Sequence, residues 1–254
     1  MFEILNRHSS EKSFAFLDYF AKIAYNFSDM TQGKLYIIAT PIGNLSDITL
    51  RALDTLKSVD FILCEDTRVT KNLLMHFDIS KPLISYHQHS DAKKVKEILN
   101  LIENNKNLAL VTDAGTPGIS DPGNLLIKSL VDSGVKNIFP IPGPSAVIAA
   151  LSISGFPTDK YIFMGFPPLK NKRQKYFSEI AKADQTTVFY ESGHRIMKCL
   201  KELGDHLEPK RQVMVCRELT KMHETTYRGT ISEIMSQMKE ERGEFVIIIS
   251  KYAK

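Results

Sequence analysis

The chain has 254 residues and a formal net charge of +4, and 43% of its residues are hydrophobic and 24% charged. This is the composition of a globular protein, long enough for one large or two modest domains. The three cysteines form no CxxC pair, which argues against a disulfide scaffold or a zinc site and favours a reducing cytoplasm. No apolar run is long enough for a bilayer span and no signal-peptide pattern is present, so no membrane partner is predicted.

Residues 1–32 differ from the rest of the chain. Apolar residues recur at helical spacing between Phe14 and Phe27, which predicts a short amphipathic helix in an N-terminal extension. Met30 lies just before the patterned region. Our hypothesis is that Met30 is the functional start, or that the extension is dispensable.

From Lys34 onward, short apolar runs alternate with segments of helical periodicity. Predicted strands lie at 35–39, 61–64, 83–86, 108–111 and 138–141, and predicted helices at 47–56, 93–104 and 125–132. This alternation predicts a mostly parallel sheet with right-handed crossovers in an N-terminal α/β domain, residues 33–144.

The second half is predicted to form a mixed α/β domain, residues 145–254. Predicted strands lie at 161–164, 187–190, 212–216 and 245–249, and predicted helices at 145–152, 173–181, 195–203 and 230–238.

Three loops rich in glycine and proline follow predicted strands. Pro41-Ile42-Gly43 follows the first strand, Asp113-Ala114-Gly115-Thr116-Pro117 follows the fourth, and Pro142-Gly143-Pro144-Ser145-Ala146 opens the next helix. Ligands bind outside the carboxyl ends of strands in open parallel sheets, and glycine lets the backbone approach them closely. Any one loop alone is explained by a tight turn, but three successive ones favour a cleft. None matches the G-x-G-x-x-G or Walker pattern, which disfavours a dinucleotide or a nucleoside triphosphate.

The segments ATPIGNLSDITLRAL, CEDTR, VTDAGTPGISDPG and PGPSAVIAAL, in this order, resemble the motif series of the tetrapyrrole-methylase superfamily. YESGHR and RELTKMHET are similar to one branch of it, the bacterial rRNA (cytidine-2′-O)-methyltransferases. The resemblance covers about residues 33–250. Longer members of this branch carry a C-terminal helical extension, whereas this sequence ends soon after its last predicted strand.

The resemblance implies two α/β domains with S-adenosylmethionine, the methyl donor, in the cleft between them. The residues that it implies for cofactor binding are Pro41, Ile42, Gly43, Asp113, Ala114, Gly115, Thr116, Pro117, Ser145 and Ala146. It also implies a cytoplasmic homodimer that methylates a cytidine ribose 2′-hydroxyl in the decoding centre of 16S rRNA, within the small ribosomal subunit. DNA is not an expected partner.

A ribose hydroxyl needs a base, or a cation that stabilises the forming alkoxide. Four candidates for this catalytic role follow predicted strands: Asp66, Glu191, His194 and Lys221. The residues alone leave the choice open, since a helix cap, a surface ion pair or a solvated polar segment explains each of them as well.

Basic residues near these strand ends, and in a cluster that follows the strand predicted at 161–164, are candidates for substrate binding. They are Arg68, Lys172, Arg173, Arg195 and Arg217. A lysine-rich exposed loop is the competing interpretation of the cluster around Lys172. His87 and His89 are interpreted as polar cleft or surface residues, and no metal is expected.

Two other functions stay open from the sequence. One is methylation of a tetrapyrrole or another small molecule, which needs an apolar trough for the acceptor. The other is a non-catalytic ribosome-binding protein that keeps the cofactor fold.

Overall fold

The computed structural model describes residues 32–88 and 90–252. The helix predicted between Phe14 and Phe27, the hypothesis about Met30, and His89 lie outside these residues. The described chain forms two compact units. The first contains the described residues up to Ile37, Asp54–Val111 and Pro122–Ile141, and the second contains Ile38–Leu53, Thr112–Asp121 and the chain from Pro142 onward.

The first unit is a five-stranded sheet with helices between its strands. Its strands are β1 (Leu35–Ile38), β2 (Phe61–Cys64), β3 (Leu83–Ser85), β4 (Leu108–Leu110) and β5 (Ile138–Ile141). The helices of this half are α1 (Leu50–Ser58), whose residues up to Leu53 are counted in the second unit, α2 (Thr67–His76), α3 (Ala92–Glu103) and α4 (Asn124–Asp132). The strand order is β3-β2-β4-β1-β5, and the pairs β3–β2, β2–β4 and β4–β1 are parallel. Parallel strands are buried on both faces, which explains why their sequences are continuous apolar runs.

The core of the first unit joins strand and helix residues. Leu35, Leu63 and Leu108 are fully buried and pack with Ile98 and Ile102 on one face of α3. The spacing of Ile98 and Ile102 is the i, i+4 repeat that marks the apolar side of a helix.

Two details of the first half differ from the sequence prediction. The helix predicted from Asp47 begins at Leu50, because residues Leu45–Asp47 form a separate 3-10 turn capped by the side chain of Asn44. Helix α2 was not predicted. Asp66 caps it by accepting a hydrogen bond from the backbone amide of Arg68.

The second unit contains a five-stranded mixed sheet. Its strands are β6 (Tyr161–Phe163), β7 (Thr186–Ser192), β8 (Val213–Arg217), β9 (Thr225–Gly229) and β10 (Glu244–Ile249), and its helices are α5 (Ala146–Ser154), α6 (Arg173–Lys182), α7 (Ile196–Gly204) and α8 (Ile231–Gln237). The strand order is β6-β7-β10-β8-β9. Only the β6–β7 pair is parallel. Strand β9 was not predicted, since its sequence, TTYRG, is polar.

Both faces of the second sheet are covered. Phe245, Ile247 and Ile249 of β10 belong to the core shared with α6 and α7, whereas Val246 and Ile248 belong to the core shared with α5. Alternate side chains of a strand point to opposite faces, so a continuous apolar run is required here. The predicted fold class, a parallel first sheet followed by a mixed α/β unit, is confirmed. No helix in the described part of the chain is long and apolar enough to cross a membrane.

Candidate functional site

The first two predicted cofactor loops are joined by backbone hydrogen bonds within the second unit. The amide of Thr40 donates to the carbonyl of Gly115 (2.9 Å), and the amide of Gly115 donates to the carbonyl of Thr40 (3.1 Å). The buried hydroxyl of Thr40 also donates to the carbonyl of Thr112 (3.0 Å). The loop Pro41–Gly43 and the loop Asp113–Pro117 are therefore held side by side, although about 70 residues separate them along the chain.

Gly115 has a positive φ of 82°, a conformation that disfavours any residue with a Cβ atom. Ile42 is buried beside it, and a Cβ atom at Gly115 would lie 3.6 Å from the Ile42 side chain. Asp113 and Ala114 are exposed, whereas Pro117 is buried. The loop thus presents the backbone around Asp113 and Ala114 outward from a packed base.

The third loop contacts the other two. Gly143 packs against Ala39, since a Cβ atom there would lie 3.1 Å from the Cβ of Ala39. The hydroxyl of Thr116 lies 3.4 Å from the carbonyl oxygen of Pro144, to which it donates. The ten predicted cofactor residues therefore lie on three loops that touch one another.

Helix α5 begins beside these loops, and its N-cap residue, Ser145, makes no side-chain capping bond. Instead, Tyr190 hydrogen-bonds the backbone of Val147 in the first turn of α5. Burial raises the pKa of Tyr190 to about 12, with a further contribution from Asp121, while the bond to Val147 opposes the shift. Nothing in the sequence marks Tyr190 as a functional residue, because its apolar neighbours indicate only a core strand.

The turn that follows β8 contacts the first loop. A Cβ atom at Gly43 would collide with Cγ of Lys221 and would lie 2.8 Å from Oγ1 of Thr220 and 3.0 Å from the carbonyl oxygen of Leu219. The structure therefore brings Lys221 against the loop Pro41–Gly43.

The ammonium group of Lys221 is held between two carboxylates. It donates to Glu218 Oε1 (3.0 Å) and to Glu244 Oε2 (2.9 Å). Desolvation lowers the pKa of Lys221, but the hydrogen bonds and charges of Glu244 and Glu218 outweigh it and raise this pKa. Lys221 thus stays protonated at neutral pH and does not serve as a base there.

Glu191 lies in a buried group of charges at the end of β7. Its side chain is 0% exposed, and Oε1 lies 2.8 Å from Nε of Arg195. Oε2 lies 3.8 Å from Nη2 of Arg173, and it accepts no hydrogen bond from the residues that the structure describes. Arg173 donates through Nε to Glu202 (2.6 Å). This environment favours an ion-pair role for Glu191 in the interior.

His194 follows in a 3-10 turn, Gly193–Arg195, and is exposed. The amide of Gly193 donates to the carbonyl of Gly243 (2.8 Å), and a Cβ atom at Gly193 would collide with the carbonyl oxygen of Glu241. The Glu191–Arg195 pair and this close backbone contact fix the turn, so His194 is presented on a rigid support.

The turn that carries His194 and the turn that carries Lys221 meet at the start of β10. Gly243 accepts the bond from Gly193, and a Cβ atom there would lie 2.7 Å from Cγ of Glu218. The amide of Glu244 donates to Oε1 of Glu218 (2.9 Å). The turn that carries His194 is thus linked to the turn of Lys221 through Gly193, Gly243 and Glu218, and the turn of Lys221 contacts the first loop.

The predicted substrate-binding arginines have unequal environments. Arg217 is buried and donates to the backbone carbonyls of Arg242 (2.7 Å) and His223 (3.0 Å), and Arg173 is buried as described above. Lys172 is exposed and has a positive φ of 66° just before α6. The side chain of Arg195 is 31% exposed.

Asp66 and Arg68 belong to the first unit, whereas Glu191, His194 and Lys221 belong to the second. Arg68 donates to Asp66 through Nη2 (2.6 Å) and Nε (3.0 Å). These bonds and the amide of Arg68 lower the pKa of Asp66 to about 2. A carboxylate with so low a pKa is a weak base. The side chain of Arg68 is 88% exposed.

Within the residues described, no group of three His, Cys, Asp or Glu side chains is arranged to hold a metal ion. His87 is exposed.

The parallel first sheet and the mixed second sheet match a known fold. The sequence profile of the Tetrapyrrole (Corrin/Porphyrin) Methylases matches residues 34–235, and the chain belongs to this family. Solved structures agree on the fold. The methyltransferase CobJ superposes with a TM-score of 0.65 at 18% identity, covering 87% of this chain and 95% of CobJ. Cobalt precorrin-4 methyltransferase, CbiF, superposes with a TM-score of 0.61 at 21% identity, covering 85% and 94%.

Relatives with higher identity carry one name, Ribosomal RNA small subunit methyltransferase I. The chain is 45% identical to that of Synechocystis, over 86% of this chain and 79% of the relative. It is 46% identical to that of Vibrio cholerae, over 86% and 77%. It is 42% identical to that of Thermotoga maritima, over 86% and 98%.

Proposed function

We propose that the chain is an S-adenosylmethionine-dependent methyltransferase that modifies the ribose 2′-hydroxyl of a cytidine in the decoding centre of 16S rRNA. The observation that carries this proposal is the chain of contacts in the second unit. The contacts connect the three loops with the turns of YESGHR and RELTKMHET, the two motifs that resemble the rRNA branch. The name shared by the relatives supports an rRNA substrate in a small ribosomal subunit.

The residues of the three loops fit a cofactor of this kind. Gly43 and Gly143 let the loops pack closely, Gly115 adopts a positive φ, and the exposed residues Asp113 and Ala114 can contact a ligand. Ser145 and Ala146 stand at the start of α5, where amide groups have no partner inside the helix. When bound, the cofactor supplies an activated methyl group on a positively charged sulfur.

The protein must then supply position and a proton acceptor for the hydroxyl. Asp66 has a pKa of about 2, Glu191 is enclosed by arginines, and Lys221 stays protonated. His194 is exposed on a turn that its neighbours hold in place, and an imidazole nitrogen can accept the proton of a hydroxyl. We therefore assign the base to His194.

The RNA would contact the exposed basic residues. Arg68 and Lys172 are exposed, as phosphate contacts require, whereas Arg195 is 31% exposed and pairs with Glu191. Arg173 and Arg217 are buried, and their hydrogen bonds stabilise the second unit rather than contact the substrate. A ribosomal substrate implies action in the cytoplasm.

A homodimer is part of this proposal. Helix α5 is mostly apolar, and its side chains Ile148 (54% exposed) and Ile153 (43% exposed) are uncovered. A second copy of the chain would cover these side chains. Sedimentation equilibrium should give twice the chain mass for the wild type and one chain mass for Ile148→Glu. A wild-type monomer would contradict the dimer.

The deciding experiment is methyl transfer from labelled S-adenosylmethionine to small subunits from cells that lack the enzyme, followed by mapping of the modified nucleotide. A 2′-O-methyl mark on one decoding-centre cytidine is the expected result. No label, from protein that binds the cofactor, would reject an rRNA acceptor and direct the search to small molecules or to a binding role.

A further inference from the structure

The turn after β8 holds two residues in a conformation that is unusual for their type. Glu218 has a φ of 53° and Thr220 a φ of 66°. Positive φ is costly for any residue with a Cβ atom, and most of all for a β-branched one such as threonine. Such conformations persist only where surrounding contacts impose them.

The contacts that impose this shape can be identified. The carboxylate of Glu218 receives both the ammonium of Lys221 (3.0 Å) and the amide of Glu244 (2.9 Å). The amide of Thr220 donates to the carboxylate of Glu224 (2.6 Å). Arg217 fixes the two sides of the turn through the carbonyls of Arg242 and His223, as described above.

The turn after β8 packs against the first loop of the candidate site, at Gly43. The stem of Lys221, the hydroxyl of Thr220 and the carbonyl of Leu219 fill the space in which a side chain at residue 43 would lie. Thr220 Oγ1 is buried there without a hydrogen-bond partner in the described part of the chain, a cost that close packing alone does not require. The strain and the unsatisfied hydroxyl both lie at the contact with the loop.

We propose that the turn Glu218–Lys221 is a positioning device for the first loop, and that Lys221 acts through Gly43 on cofactor binding, not on the reacting atoms. The charges support this role. Lys221 lies between two carboxylates, so its positive charge is already compensated and is poorly suited to stabilise an alkoxide. The inference rests on the proposed function, because it takes the first loop to be a cofactor loop.

The contact is tested by a double-mutant cycle on the dissociation constant of S-adenosylmethionine, measured by isothermal titration calorimetry. Gly43→Ala and Lys221→Ala should each weaken binding roughly tenfold, a common size for such coupling. The double variant should raise the dissociation constant by clearly less than the product of the two single-variant factors. The reason is that Lys221→Ala removes the Cγ atom with which the new methyl group of Gly43→Ala collides. Effects that multiply would overturn the proposal.

The ion pairs are tested separately. Lys221→Met keeps the stem and loses the charge, so it should weaken cofactor binding, and Lys221→Arg should restore part of the affinity. At saturating cofactor, kcat of Lys221→Met should stay within about threefold of the wild type, since a positioning role acts on binding. Lys128→Met, which removes an exposed lysine paired with Asp132, is the control and should change neither quantity.

A large loss of kcat with an unchanged dissociation constant would place Lys221 at the reacting atoms and overturn the proposal. If Lys221→Met does not fold, Glu244→Gln loosens the same contact from its exposed side and should also weaken binding. Wild-type protein that binds no S-adenosylmethionine would instead reject the proposed function, so the two failures are distinguishable.

Discussion

At the scale of single residues, the candidate bases differ in the groups that surround them. Asp66 shows this most directly, because the Arg68 side chain and amide lower its pKa to about 2. A carboxylate whose pKa is depressed on folding stabilises the protein above its unfolded pKa, about 3.9, and loses this contribution as the pH falls through the folded value.

We predict that Arg68→Ala raises the pKa of Asp66 towards its ordinary value, because the hydrogen bonds from the guanidinium are the largest cause of the shift. NMR of the Asp66 carboxyl carbon measures this pKa directly. The titration runs from about pH 1.5 to about pH 6, which brackets the range of carboxyl pKa values. Lys57→Ala is a control in the same unit. A pKa that stays near 2 in Arg68→Ala would show that the helix cap alone sets it.

His194 carries the proposed base function. We predict that His194→Ala lowers kcat by about 10²–10⁴-fold, the range for loss of a general base, with little change in cofactor affinity. His206→Ala removes a histidine that hydrogen-bonds Gln174 (2.8 Å) and should keep kcat near the wild-type value. Single-turnover methyl transfer to small subunits measures both. A His194→Ala enzyme with wild-type kcat would exclude His194 as the base.

Thr220 illustrates a residue that lowers stability. Replacing it with glycine removes the strain of a positive φ (about 1–2 kcal/mol) and an unsatisfied buried hydroxyl (about 1–3 kcal/mol), and adds backbone entropy to the unfolded chain (about 0.5–1 kcal/mol). We predict that Thr220→Gly raises the free energy of unfolding by about 1 kcal/mol while it weakens cofactor binding. Urea unfolding measures the first effect.

The control for this prediction is Thr225→Gly, in strand β9. Its backbone is extended, so glycine brings no relief there and should lower the stability by roughly 0.5–1 kcal/mol. Equal losses of stability at both positions would show that Thr220 is not strained.

At the scale of elements, the charges buried between β7, α6 and α7 matter for stability. Glu191 lies opposite Arg173 and Arg195, and its side chain is fully buried. Burial, with the charge of Glu191 adding to it, raises the pKa of the neighbouring Cys199 thiol to about 12, so this thiol stays neutral. The cluster therefore acts as an internal ion-pair support for the turn of His194.

We predict that Glu191→Ala lowers the free energy of unfolding by about 3 kcal/mol, because it leaves buried arginine charge less compensated. Glu179→Ala, which breaks an exposed pair with Lys175, should change it by less than about 0.5 kcal/mol. Urea titrations compare the two. A small effect at Glu191, together with a large loss of kcat, would favour a catalytic role over this structural one.

Elements with a strong apolar pattern were predicted well, and polar ones were not. The buried strand β2 and the strand β5 have the predicted bounds, because a short apolar run flanked by turn residues leaves little choice. Strand β9 was missed since its side chains carry no alternation, and its place is set by pairing with β8. Helix α2 was not predicted, although a helix cap was one interpretation of Asp66.

The candidate site was predictable where it depends on the backbone. Glycines and prolines at strand ends indicated the three loops, and the structure brings these loops into contact. What the sequence does not encode locally is the environment of a charge. Glu191 and Lys221 were equivalent candidates until the burial of the first and the two carboxylates around the second were known. The positive φ of Thr220 has no sequence signal, since threonine is a poor choice for it.

At the scale of the whole molecule, the acceptor can be distinguished by its charge. The net charge is +4, and Arg68 and Lys172 are exposed cations that the proposed function places in contact with phosphates. A protein that neutralises phosphates releases counterions, so its affinity falls steeply with salt concentration, whereas binding in an apolar trough changes little. The two main acceptor classes therefore predict different salt dependences.

We predict that the affinity for small ribosomal subunits falls by at least tenfold between 50 and 200 mM salt (roughly the range over which several phosphate contacts are lost). Lys172→Ala should make the slope of log affinity against log salt about one unit shallower, and Lys128→Ala should leave it unchanged. Filter binding at a series of salt concentrations measures these slopes. A flat salt response, with tight binding of a macrocyclic acceptor, would contradict the rRNA proposal, because no phosphate contact would then contribute to recognition.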